Sequence, residues 1–165
     1  MPAGSTLFTL ILGTLLSGIV SSAHAEGRGP SAPATSQDAS AQRTNAMKIS
    51  IKIQDKIVTA TLTDNATSRD FVSLLPMDLT LEDYAATEKI SNLPRRLSTE
   101  GAPPGSDPSL GDIAYYAPWG NLAIFYKDFR HSSGLIKLGK IDSGIEALKA
   151  TGSAKVTIEL IDKSQ

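Results

Sequence analysis

From Met47 onward the chain alternates. Met47, Ile49, Ile51 and Ile53 are separated by Lys48, Ser50, Lys52 and Gln54, a period of two that predicts a half-buried strand. Asp55-Lys56 turns the chain into a second run, Ile57 to Leu62, with Val58, Ala60 and Leu62 on one face. The two read as a hairpin. Between Asn65 and Leu75 the period becomes helical: Phe71, Val72 and Leu75 form one apolar stripe, and Thr67 with Asp70 imitates a capping box. Pro76 ends that helix, because the residue before a proline disfavours helical angles.

Alternation returns at Met77, Leu79 and Leu81, and a fourth strand is expected over Thr87 to Leu93, stopped by Pro94. Thr99 to Gly111 is a loop rich in glycine and proline, and a loop of that length in a small domain is functional or mobile. Ile113 to Tyr116 and Leu122 to Tyr126 read as strands around the turn Pro118-Trp119-Gly120-Asn121. Leu135 to Ile141 is the next strand. Ser143 and Glu146 have the spacing of a full capping box for a second short helix ending near Gly152, and Ala154 to Ile161 closes the set.

The N-terminal part has a different character. Residues 1–25 contain no Lys, Arg, Asp or Glu, Leu7 to Val20 is mostly apolar, and Ala23-His24-Ala25 supplies an A-x-A cleavage site. This is the pattern of a secretory signal peptide over 1–25, and the apolar run is shorter than the roughly 20 residues of a membrane span. A periplasmic or secreted protein with no membrane attachment after cleavage is the expectation. Glu26 to Ala46 holds no large apolar residue and reads as a disordered linker. The folded domain is expected over 47–165, enough chain for one small core.

Composition removes several chemistries. There is no cysteine, hence no disulfide, thiolate metal site or thiol nucleophile. The net charge is −1 and neither sign forms a run, so no nucleic-acid partner is indicated. Once the signal is removed, His131 is the only histidine, which excludes a two-histidine metal site; no metal and no cofactor is expected. A Ser-His-Asp triad would have to use His131, which sits in a polar loop. Gly101-Ala102-Pro103-Pro104-Gly105 lacks the lysine and setting of a phosphate loop.

Three kinds of residue remain as candidates for a binding surface. Trp119 at its turn is either an exposed anchor for a ligand or an aromatic folded back over the barrel mouth. Tyr115 and Tyr116 point to opposite faces of one strand, so one is core and Tyr116 or its neighbour faces out. Arg95 and Arg96 open the long loop, as a solvated charge pair or as a fork for an anion or carboxylate.

The closing section Gly134-Leu135-Ile136-Lys137-Leu138-Gly139, followed by Ser143-Gly144-Ile145-Glu146-Ala147-Leu148 and a last strand, resembles the end of the cyclophilin barrel. The runs Thr80-Leu81-Glu82-Asp83-Tyr84, Leu97-Ser98-Thr99-Glu100-Gly101 and Tyr115 to Tyr126 are similar to those of the bacterial cyclophilin-like domain family. The resemblance implies a mainly β fold, a closed eight-stranded barrel with two short helices. It implies no established activity. The Phe-His-Arg and Gln-Phe-Phe motifs of prolyl isomerases are absent, and Leu135 stands where their late histidine belongs. The expectation is a non-catalytic module that binds a peptide or small ligand through the barrel mouth and the loop Pro94 to Gly111. The alternative is a divergent peptidyl-prolyl isomerase or folding helper.

Overall fold

The computed structural model describes residues 46–150 and 152–161. The expected signal peptide over 1–25 and all but the last residue of the expected linker over 26–46 lie outside them. Among the described residues no helix is long and apolar enough to cross a membrane.

The strands are β1 (Met47–Ile53), β2 (Lys56–Leu62), β3 (Met77–Tyr84), β4 (Glu88–Asn92), β5 (Gly105–Ser106), β6 (Asp112–Tyr116), β7 (Asn121–Phe125), β8 (Ser132–Ser133), β9 (Leu135–Ser143) and β10 (Ala154–Ile161). Eight of them close a barrel in the order β1-β10-β3-β4-β7-β6-β9-β2, while β5 and β8 pair separately. Every barrel pair is antiparallel. Closure removes the free sheet edges, as the eight-strand reading required.

The alternating residues fill the interior. Ile49, Ile51, Val58, Ala60, Leu81, Ile113, Tyr115, Leu122, Ile124, Leu138 and Ile158 pack there with almost no exposed surface. Tyr115 is the core tyrosine of its pair, and its hydroxyl accepts from the Leu97 amide at 3.2 Å.

Helix α1 (Ala66–Val72) is shorter than the Asn65 to Leu75 segment expected. Its cap is the Asn65 side chain, which accepts from the Ser68 amide at 2.8 Å, in place of the Thr67–Asp70 box. Asp70 is held elsewhere by Arg95. Leu74 and Leu75 close a tighter turn before Pro76.

The second expected helix is corrected to a single 3-10 turn, Ile145–Leu148, with no side-chain cap. Ser143 is still in the sheet: it pairs with Thr59, and the two hydroxyl oxygens lie 2.8 Å apart. Gly144, at φ +85, makes the corner instead. A Cβ there would stand 2.8 Å from the Ile57 carbonyl, so both the angle and the space call for glycine.

Candidate functional site

Strand β7 is buried along its whole length, Asn121 to Phe125, which one barrel face alone does not explain. Leu122 and Ile124 point inward. Ala123 and Phe125 belong to a second apolar cluster with Ala114 and Leu135, bordered by Ile90 and Tyr116. Since side chains alternate along a strand, this cluster lies on the outer face of β4, β7, β6 and β9.

The ladder places these residues in rows. Tyr84, Glu88 and Phe125 are cross-strand neighbours, then Ile90, Ala123 and Ala114, then Asn121, Tyr116 and Leu135. The middle row carries two alanines between larger side chains. Short residues beside long ones leave a hollow of about 210 Å³. Trp119 and Phe129 reach it from the loops and Ser132 from β8.

Three aromatics form its wall. Trp119 meets Tyr84 edge-on at 5.7 Å between ring centroids and Tyr116 at 5.4 Å, with interplanar angles of 88° and 79°. Such edge-to-face contacts suit the ring quadrupoles. Trp119 is nonetheless 56 % exposed, so it stands beside the outer hollow and does not seal the barrel interior.

The polar groups in the hollow are few. Among the described residues Glu88 is its only formally charged side chain. Burial alone pushes that carboxyl up to about 7. Asn121 is 3 % exposed; its amide nitrogen donates to the Leu122 carbonyl, and its Oδ1 has no partner.

The next residues along the chain are satisfied. The Lys89 ammonium, on the opposite face, donates to Asp83 at 2.9 Å and to the carbonyls of Ala150 and Gly152 at 2.6 and 2.9 Å. The Tyr126 hydroxyl donates to Asp83 at 2.8 Å. Its own desolvation, and then Asp83, push Tyr126 up to about 12. The hydrogen bond from Lys89 is the main cause holding Asp83 below the usual carboxylate range. This network ties the carbonyls of Ala150 and Gly152 to Lys89 of β4 and engages the Asp83 carboxylate.

Of the four residues expected at a binding surface, the structure brings Tyr116 and Trp119 together. Arg95 and Arg96 do not line the hollow. Arg95 forks onto Asp70 of α1 at 2.6 and 2.9 Å, and that guanidinium is the main cause holding the Asp70 carboxyl at about 2. Arg96 donates to the carbonyls of Ala117 and Pro118 at 2.6 and 3.3 Å, bracing the turn that carries Trp119. The loop Pro94 to Gly111 also contributes no lining residue. It is pinned to the segment before β9 by the β5–β8 pair and by the Gly134 amide donating to the Pro104 carbonyl at 2.7 Å. His131 is exposed and contacts Asp107 at 3.2 Å. Glu88, Asn121, Tyr84 and Phe129 were not singled out from sequence. The readable signal was the unbroken apolar run Leu122-Ala123-Ile124-Phe125, which marks a strand buried on both faces.

No curated protein matches this chain. A solution structure of a hypothetical protein from Archaeoglobus fulgidus is similar: 21% identity, a TM-score of 0.58, and coverage of 73% of this chain and 98% of that one. At that identity the likeness shows the fold. The profile of the cyclophilin-like family matches residues 51–159, which spans β1 to β10. The chain therefore belongs to the cyclophilin-like family.

Proposed function

We propose that this protein is a non-catalytic binding module, exported by its N-terminal signal, that holds a peptide side chain or small ligand in the hollow on the outer face of β4, β7 and β6. The observation that carries the reading is the short Ala123, paired across the ladder with Ala114, in a hollow walled by partly exposed aromatics. Closely packed sheet faces do not leave such space unless the short side chains make it. The hollow is smaller than the roughly 300–1,000 Å³ of sites for drug-sized ligands, so it suits one side chain or head group. Among the described residues no arginine, lysine or histidine lines it, so it offers no cationic donor for the twisted amide of prolyl isomerisation.

Ala123→Leu tests the reading, because the larger side chain fills the hollow from its floor. A panel of short aromatic- and proline-containing peptides is titrated against the full chain. Fluorescence of Trp119, the only tryptophan, reports binding. Saturable binding to the wild type, weakened at least tenfold in Ala123→Leu with the fold retained, is expected. Undiminished binding in that variant would place the site elsewhere. Proline-peptide isomerisation well above the uncatalysed rate would overturn the non-catalytic assignment.

A further inference from the structure

The hollow combines features that select for charge as well as shape. Tyr84 and Tyr116 stand nearly perpendicular to Trp119, so the three rings form adjoining sides of a box. Glu88 is the cross-strand neighbour of Tyr84 and lines the same hollow. Asn121, at the other end, has a buried carbonyl oxygen with no donor. Ring faces and a carboxyl both favour a cation, and among the described residues no cationic side chain lines the hollow.

We propose that the hollow recognises a small organic ammonium group, an alkylated amine head whose charge faces Glu88 and whose methyl or methylene groups rest on Tyr84, Tyr116 and Trp119. The assignment rests on the binding role proposed above and specifies its ligand class. The chemistry is consistent throughout. An ammonium carrying alkyl groups is weakly hydrated and exchanges water for aromatic faces at low cost. An anion would meet the Glu88 carboxyl, with no cationic side chain among the described lining residues to offset it. A purely apolar group would gain nothing from Glu88. Burial of the carboxyl is also relieved when a cation arrives, because an adjacent opposite charge favours the ionised form.

The experiment compares choline with its neutral isostere 3,3-dimethylbutan-1-ol, at pH 8 and constant ionic strength. The full chain is observed through Trp119 fluorescence and backbone NMR shifts. Choline is expected to bind saturably and at least tenfold more tightly than the alcohol, with the largest shifts at Trp119, Ala123 and Glu88. In Glu88→Gln, checked for an unchanged or raised melting temperature, the preference should fall to about twofold or less while alcohol binding stays as in the wild type. Alcohol binding as tight as choline would overturn the ammonium assignment and leave the hollow as an apolar site. So would a preference that survives in Glu88→Gln, or choline shifts confined to residues remote from the hollow. If neither compound binds and no peptide binds either, the binding reading itself falls with it.

Discussion

At the scale of single residues, Glu88 and Asp70 show how the fold gives one residue type opposite properties. Asp70 is surrounded by donors from Arg95 and the Ser98 amide and stays ionised down to about pH 2. Glu88 has no such donors. Its carboxyl moves from 4.5 to about 7 through burial alone. Between those two values the folded chain keeps a proton that the unfolded chain has lost. The stabilisation is therefore complete below 4.5 and is lost as the pH rises through 7. A fully buried group would lose about 3 kcal/mol, but the open hollow screens the charge, so about 1 kcal/mol is expected. Glu88→Gln should flatten the stability profile between pH 4.5 and 7 relative to the wild type, as urea melts at several pH values will record. Profiles that run parallel would mean that Glu88 is solvated.

At the scale of elements, β9 bears most of the fold's geometric demands. It pairs with both β2 and β6, and its register shifts against each of them. Gly139 lets β9 lie close against β2: a Cβ there would collide with the Thr61 carbonyl and stand 2.8 Å from the Leu62 Cα. Neither is the end of a flexible side chain, so the backbone itself would have to move. Gly139→Ala is expected to cost about 2–3 kcal/mol in denaturant melts. A cost below about 0.5 kcal/mol would mean that β2 and β9 separate easily. The residue before it, Leu138, is fully buried in the barrel core. Leu138→Ala should cost roughly 2–4 kcal/mol through lost burial and the cavity left behind. A value near zero would contradict its inward position.

At the scale of the whole molecule, a chain without cysteine relies on core packing, and barrel closure buries the apolar face of every strand. The export reading belongs to this scale as well. It rests on the charge-free apolar segment and on Ala23-His24-Ala25. Mass spectrometry of the protein from its native compartment is expected to find a chain beginning at Glu26. An intact N-terminus on membrane-bound protein would refute it.

The pattern of residues along the chain was enough to determine the barrel strands, the β1–β2 hairpin and the division of Tyr115 and Tyr116 between opposite faces, each of which follows from a period of two. That Tyr115 is the inward one, and that Gly139 and Gly144 sit where a Cβ would collide with backbone, came from the structure. The second helix was misread because Ser143 matches a capping box locally while its backbone remains paired with Thr59. The candidate site was beyond local reading for a related reason. Tyr84, Glu88, Asn121 and Trp119 come from β3, β4, β7 and a turn, and they meet only because closure sets β4 between β3 and β7. Arg95 and Arg96, adjacent in the chain, part company for the same cause. One is captured by a carboxylate on α1 and the other by two carbonyls of the Trp119 turn. Which donor meets which acceptor depends on distances through space, and only the tertiary structure sets those.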